Sequence, residues 1–193
     1  MFIVQLEPPH SGGQGDHQYR TAQPCSALGL NENVRVMSTT PLSAAAPKLV
    51  ENCDVLVLCD SADMEHLPLI KRRRAKGLAT VYEVNDNFLG VQAWNSTARF
   101  YRNPAHQALI VQLIRLCDGV QFSMPELQNS FGSLNAHQAV FPNHLWEMPP
   151  IESKADSLMV GWGGSYGHLE DVEWMMPVLK WMMETYPQVR LGI

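Results

Sequence analysis

Short apolar runs alternate with amphipathic stretches along almost the whole chain. The run DVLVLC, residues 54–59, is apolar without a break, which is typical of a strand buried on both faces of a parallel sheet. The remaining predicted strands cover 1–6, 34–38, 78–84, 120–123, 138–141, 157–162 and 189–193. Apolar residues at helical spacing predict helices over 19–28, 41–52, 62–76, 105–117, 125–134 and 169–184. Regular alternation of strands and helices predicts an α/β fold with a doubly wound, Rossmann-like parallel sheet.

A change in composition divides this pattern near residue 150. The segment 147–156, EMPPIESKAD, is polar and carries adjacent prolines, which favours a linker. We therefore predict a first domain over 1–146 and the start of a second over 157–193. A lone strand–helix–strand unit cannot bury both faces of its sheet. If the molecule ends at residue 193, we therefore expect an exposed apolar patch that promotes docking on the first domain, association into a homo-oligomer, or partial disorder.

The helix predicted in the second part has an apolar face. Trp174, Val178, Trp181 and Met182 share that face, and packing in a core is their expected role.

Composition excludes several classes of protein. The formal net charge of -5 gives no electrostatic case for a nucleic-acid partner. The 4 cysteines and 7 histidines show no metal-ligand or redox spacing, so we predict reduced thiols and no metal site. No signal-peptide pattern opens the sequence and no apolar run approaches the roughly 20 residues of a membrane span, so we expect a cytoplasmic protein.

A basic run, KRRRAK at residues 71–76, ends one predicted helix. A solvated helix end that complements the helix dipole is the favoured interpretation. Peripheral contact with an anionic membrane surface is the alternative.

Three stretches could carry chemistry. Gly12 and Gly13 follow the first predicted strand, and a polar group of Glu83, Asn85, Asp86 and Asn87 follows the strand over 78–84. In a doubly wound sheet, ligands bind outside such carboxyl ends. The third stretch is a glycine turn between strand and helix, whose free N–H groups suit a phosphate; close packing of helix on sheet is the alternative reason for its glycines. Its candidate residues are Gly163, Gly164, Ser165 and His168.

Six motifs occur in a characteristic order: SGG, YRTAQP, DVLVL, KGLATVYEVNDN, VFPN and VGWGGSYGHLEDV. Together they resemble the family 4 glycosyltransferases, whose GT-B fold places two Rossmann-like domains face to face. The resemblance implies transfer of a sugar from a nucleotide diphosphate sugar to a saccharide or lipid-linked acceptor, with retention of configuration and without a metal or cofactor.

The resemblance also implies roles for individual residues. Asp86 or Asn85 would lie beside the reacting sugar, although Asn85 cannot act as a base, and a turn or cap is the alternative role of Asp86. His168 would face the leaving diphosphate together with the glycine turn, or else simply cap its helix. The implied substrate-binding residues are Gly12, Gly13, Arg20, Glu83, Asn87 and Asn143.

One departure from the family pattern limits this prediction. The family's paired glutamates, separated by seven residues, have no counterpart here, and the resemblance covers about half of a typical member. We therefore expect either a fragment of a longer enzyme or a short protein without transferase activity. The alternatives are a non-catalytic nucleotide- or acceptor-binding domain and, less favoured, an NAD- or SAM-dependent enzyme that uses GWGGSYG as its cofactor loop.

Overall fold

A computed structural model describes residues 1–9, 17–95, 97–147, 150, 158–164 and 168–192. The chain divides into two compact units. Unit 1 comprises Met1–Leu89 and Asn103–Met148, and unit 2 comprises Gly90–Arg102 and Pro149–Ile193.

Unit 1 is built on one parallel sheet of six strands. These are β1 (Phe2–Leu6), β2 (Arg35–Thr39), β3 (Val55–Cys59), β4 (Ala79–Val84), β5 (Gly119–Phe122) and β6 (Gln138–Val140). Their spatial order is β2-β1-β3-β4-β5-β6, with every neighbouring pair parallel. The predicted Rossmann-like α/β architecture is therefore confirmed.

The helices connect successive strands. A π-helical segment, His17–Ala22, continues into α1 (Gln23–Leu28), and α2 (Ala46–Asn52) and α3 (His66–Ala75) follow. Next come α4 (Ala98–Tyr101), which belongs to unit 2, α5 (Pro104–Leu116), and α6 (Pro125–Phe131) with a 3₁₀ turn at Gly132–Leu134.

Two helices begin later than the apolar pattern predicts. Residues 41–45 form turns, and the Ser43 hydroxyl accepts a hydrogen bond from the Ala45 N–H. Before α3, Ser61 and Asp63 accept bonds from the N–H groups of residues two positions further on. Such local bonds compete with the first helical turn, so they delay the start of both helices.

The two faces of the sheet are covered unequally. One face is packed in a core in which Val4, Leu56, Leu58, Val84 and Phe122 are almost completely buried. α3 lies on this side, since its Arg73 bonds the Thr80 hydroxyl of β4. On the opposite face, central-strand residues remain partly exposed, and these are Ile3, Val55 and Val81.

Three charges of the basic run are paired with carboxylates, and a fourth is buried. Arg72 and Lys76 both bond Glu51, and Arg74 bonds Asp118. Arg73 is fully buried, so the interpretation of the run as a wholly solvated helix end was wrong for this residue. Contact with a membrane surface stays a prediction. None of the helices in the described ranges combines the length and the apolar character that crossing a bilayer requires.

Unit 2 contains a small parallel sheet and one long helix. β7 (Leu158–Gly161) pairs with β8 (Val189–Gly192), and α7 (Leu169–Thr185) connects them. Trp174 is 80% exposed and Trp181 58%. The prediction that the α7 apolar face packs in a core was wrong for Trp174, Val178 and Trp181, because two strands and one helix supply no layer to cover it.

Candidate functional site at the carboxyl ends of the strands

The strand order reverses between β1 and β3. β1 has β2 on one side and β3 on the other, so the connection from β2 to β3 runs back past β1, opposite in direction to the connection from β1 to β2. The carboxyl ends of strands at such a reversal form a crevice where ligands of doubly wound proteins bind. Here Glu7 follows β1 and Asp60 follows β3.

Asp60 has an uncommon backbone conformation. Its φ is 43°, in the left-handed region that costs a non-glycine residue on the order of 1 kcal/mol. Its N–H donates to the Glu83 carbonyl at 3.1 Å, and its Oδ1 accepts from the Asn85 N–H at 3.2 Å. Asp60 thus joins the ends of β3 and β4. Sequence reasoning missed it, although an aspartate directly after the apolar run DVLVLC was a usable signal.

Arg20 and Glu83 form a buried ion pair beside this crevice. Nε of Arg20 lies 2.5 Å from Oε1 of Glu83, and the two residues are 8% and 1% exposed. Gln121 donates to Oε2 of Glu83 at 2.8 Å, so protein donors engage both carboxylate oxygens. Nη1 of Arg20 donates to the Phe141 carbonyl and, at 3.3 Å, to Oδ1 of Asn143. The structure therefore brings together Arg20, Glu83 and Asn143, three of the residues predicted to bind substrate.

Cys59 lies under the same cluster. Its Sγ is 3.8 Å from Oε2 of Glu83. Burial, followed by the negative charges of Glu83 and Asp60, raises the pKa of the Cys59 thiol well above its ordinary value. The thiol is therefore neutral and acts as a weak donor to the carboxylate.

Glu7 and His17 lie on either side of residues 8–16 in the sequence. His17 Nδ1 lies 2.7 Å from Oε2 of the buried Glu7, and the Glu7 N–H donates to the Thr39 carbonyl at 2.9 Å. This pair connects the end of β1 to the start of the π-helical segment. Gly12 and Gly13, which were predicted to bind substrate, lie outside the described residues.

The polar group after β4 is held by backbone bonds. The Asn85 carbonyl accepts from the Ser123 hydroxyl at 3.0 Å, which links β4 to β5. Asp86 is exposed and its Oδ1 accepts from the Asn87 N–H at 2.7 Å, a turn-stabilising bond. The Asn87 Oδ1 in turn accepts from the Leu89 N–H at 3.2 Å. A role of Asp86 or Asn85 in chemistry stays a prediction.

Ser61 and His66 form a second pair that sequence reasoning missed. The Ser61 Oγ lies 2.5 Å from Nδ1 of His66, and the Tyr82 hydroxyl donates to the Ser61 carbonyl at 2.6 Å. Burial lowers the pKa of His66, with Asp63 and Glu65 acting in the opposite direction. His66 is 7% exposed, so this pair is buried at the start of α3.

The glycine turn of unit 2 follows β7. A Cβ atom at Gly164 would lie 2.7 Å from the Trp162 ring, so a substitution there requires that ring to shift. His168 Nδ1 lies 2.8 Å from Oδ2 of Asp171, and both side chains are exposed at the start of α7. Ser165 lies outside the described residues. Phosphate binding by this turn stays a prediction.

Metal ligands do not cluster in the part of the chain that the structure describes. No group of three or more His, Cys, Asp or Glu side chains within it could hold a metal ion.

The fold and the strand-end residues define a Rossmann-like α/β protein with a polar crevice at its topological switch point. No protein-family model matches the sequence, and no curated protein matches it. Among solved structures, the S. aureus MnaA-UDP co-structure is similar, with a TM-score of 0.53, 10% sequence identity, and coverage of 98% of this chain and 60% of that chain. At this identity the likeness shows the fold alone, and it does not confirm membership of the family 4 glycosyltransferases.

A second solved structure is a conserved protein from Enterococcus faecalis V583. It is 18% identical over 69% of this chain and 98% of that chain, with a TM-score of 0.39. A score this low carries no argument about the fold.

Proposed function

We propose that this chain binds a nucleotide diphosphate sugar at the carboxyl ends of the unit 1 strands, as part of a retaining glycosyltransferase. The observation that carries the proposal is the polar crevice at the switch point, where Glu7, Asp60, Asn85 and Asp86 end three neighbouring strands. Two further facts support it. The fold is similar to that of MnaA, which was solved with UDP, and the motif order resembles family 4 glycosyltransferases.

In the proposed reaction the bond from the anomeric carbon to the phosphate oxygen breaks. A bond to an acceptor oxygen forms, and the nucleoside diphosphate departs with the bonding electron pair and takes up the proton of the acceptor hydroxyl. Asp86, the exposed carboxylate at the end of β4, orients that hydroxyl or stabilises positive charge on the sugar. Gly12 and Gly13 approach the donor phosphates, and Asn87 and Asn143 contact the substrate. In unit 2, the glycine turn with His168 is a separate anion contact.

Calorimetry with a panel of ligands tests the proposal. We expect UDP, GDP or ADP to bind, whereas NAD and SAM do not. A nucleotide sugar should bind more tightly than its free diphosphate because Asp86 contacts the sugar. Asp86→Asn should therefore weaken binding of the nucleotide sugar about tenfold, the effect of losing one charged hydrogen bond, and leave binding of the diphosphate unchanged.

Asp54→Asn is the matched control. Asp54 is also an exposed carboxylate that accepts a backbone bond, from the Phe2 N–H at 2.6 Å, but it lies at the amino ends of the strands. Asp54→Asn should change neither the affinity for the nucleotide sugar nor the affinity for the diphosphate. Binding of NAD or SAM without any nucleoside diphosphate would favour the redox or methyl-transfer alternative. Equal affinity for diphosphate and nucleotide sugar, unchanged by Asp86→Asn, would favour a non-catalytic binding domain.

A further inference from the structure

The less covered face of the unit 1 sheet contains a cavity of about 670 Å³. Its floor is formed by Ile3, Val55, Val57 and Val81, which belong to the three central strands. A parallel sheet normally has both faces covered, but Ile3, Val55 and Val81 remain partly exposed in the described part of the chain. The volume lies within the range of about 300–1,000 Å³ typical of small-molecule sites.

Two further walls enclose the floor. α1 contributes Pro24, Ala27 and Leu28, and the segment after β6 contributes Leu145 and Trp146. The Trp146 N–H donates to Oε1 of Gln23 at 2.6 Å, which ties this segment to α1. Leu145 and Trp146 are about half exposed, so they form an apolar rim around the opening. The cavity is therefore a three-walled pocket rather than an open sheet face.

One end of the pocket is polar. In the strand register, Val57 of β3 pairs with Val81 of β4. Two residues closer to the carboxyl ends, and on the same face, Cys59 pairs with Glu83. Glu83 also pairs with Gln121 of β5. Arg20 and Gln121 line the pocket, and both bond Glu83. The Arg20–Glu83–Gln121 layer thus closes the end of the apolar floor that faces the crevice.

This layer contains one hydrogen-bond donor and one acceptor that no described residue engages. No described residue accepts a bond from Nη2 of Arg20 or donates one to Oε1 of Gln121. Every fully buried side-chain nitrogen or oxygen in the described residues has a partner, so these two atoms must be accessible to solvent. A ligand in the pocket could therefore bond a guanidinium N–H and an amide oxygen at its polar end.

We propose that this pocket binds an amphiphile whose apolar body lies on the valine floor and whose hydrogen-bond-accepting head, a carboxylate or carbonyl, bonds Arg20. An apolar body matches the floor, α1 and the Trp146 rim, and an accepting head matches the unpartnered Nη2. A quaternary ammonium head is disfavoured because it accepts no hydrogen bond from Arg20, whose own charge is paired with that of Glu83. The site goes beyond the proposed nucleotide site, since Asp86 and Asn85 do not line it.

Titration with dodecanoate, kept below its micelle-forming concentration, tests the proposal. We expect binding of one molecule per chain by calorimetry and a change in tryptophan fluorescence that Trp146→Phe abolishes without abolishing the heat of binding. Dodecyltrimethylammonium, with the same apolar body and a cationic head, should bind at least about tenfold more weakly. Equal binding of the two probes, or no binding of dodecanoate, would overturn the proposal.

A matched pair of variants locates the site. Ala27→Phe places a ring inside the pocket and should weaken dodecanoate binding at least about tenfold. Ser26→Phe adds the same ring to the exposed side of α1, outside the pocket, and should leave dodecanoate binding unchanged. Equal losses of dodecanoate affinity in the two variants would contradict the location of the binding site in this pocket.

Two controls separate this proposal from the others. Ala27→Phe and Ser26→Phe should have the same affinity for a nucleoside diphosphate. A result against the nucleotide site can therefore be distinguished from a result against the amphiphile site. A dimer that Ala27→Phe dissociates, with no dodecanoate binding to the wild type, would overturn the proposal and assign this face to a second copy of the chain.

Discussion

Arg73 is a fully buried arginine whose described partners include no carboxylate. From α3 it donates to the carbonyl oxygens of Val50, Cys53 and Ala79, to the Thr80 hydroxyl and to the Cys53 sulfur. It thereby joins the end of α2 to the start of β4. A buried charge is tolerated when hydrogen bonds of this kind satisfy its donors. The acceptor groups in turn rely on Arg73 for these hydrogen bonds.

Replacing Arg73 by Met should lower the free energy of unfolding by roughly 2–4 kcal/mol, because three carbonyl groups lose the hydrogen bond that this buried side chain donates to them. Arg72→Met is the matched control. Arg72 is 54% exposed and bonds Glu51, and surface ion pairs contribute about 0–1 kcal/mol. Urea denaturation of both variants measures the difference, and equal losses would show that burial of Arg73 contributes nothing.

Cys25 should be a slow nucleophile. Burial, and then the charge of Glu7, raises the pKa of its thiol from 9.0 to about 11, and its Sγ donates to Oε1 of Gln5 at 3.0 Å. The thiolate is the reactive form, so at pH 8 alkylation by iodoacetamide should be about 100-fold slower than in the unfolded chain. The native rate should continue to rise between pH 9 and 11, measured on the Cys25 peptide by mass spectrometry. A rate that levels off near pH 9 would contradict this prediction.

At the scale of elements, the start of α3 should respond to pH. Burial lowers the pKa of His66, so the unfolded chain binds a proton to this residue at a higher pH than the folded chain does. The resulting stability is fully present above the ordinary pKa of about 6.5 and is lost as the pH falls below it.

His66→Asn keeps a polar side chain near the Ser61 hydroxyl and cannot be protonated. We expect this variant to lose less stability than the wild type between pH 7 and 5, measured by thermal unfolding. His137→Asn removes an exposed histidine and should keep the wild-type pH dependence. Identical pH profiles for wild type and His66→Asn would exclude His66 as the titrating group.

The bounds of the strands agree closely with those predicted from the sequence, whereas the first residues of two helices do not. The run 54–59 became β3 at Val55–Cys59, because an unbroken apolar run can be buried on both faces only inside a parallel sheet. The helix predicted from residue 41 begins at Ala46 because the Ser43 side chain bonds the backbone first. Apolar spacing contains no information about such polar side-chain bonds.

At the scale of the whole molecule, we predict that the exposed face of α7 is an association surface. Trp174, Val178 and Trp181 lie on it and are each more than half exposed. Exposed apolar patches of this kind favour contact with another surface. We expect concentration-dependent association, and Trp174→Glu or Trp181→Glu should reduce it.

Trp94→Glu is the control, since Trp94 is 48% exposed and lies outside α7. Light scattering after size exclusion gives the mass at each concentration. A wild-type chain that stays monomeric at every concentration would contradict the prediction, as would an equal effect of Trp94→Glu.

The candidate site was predictable only in part. Glu83, Asn85 and Asp86 were identified because polar residues directly after an apolar run mark the end of a strand. That Glu83 pairs with Arg20, 63 residues earlier, depends on how β4 and the segment before α1 come together in space. The backbone conformation of Asp60 likewise depends on its bonds to Glu83 and Asn85.

The sequence by itself determined the parallel sheet, the number of its strands and the polar character of their carboxyl ends, because these depend on local periodicity and composition. Only the tertiary structure decided which polar groups neutralise one another, which arginine of the run 71–76 is buried, and that a pocket lies on one face of the sheet. Those features depend on strand register and on contacts between residues distant in the chain, such as Gln23 with Trp146.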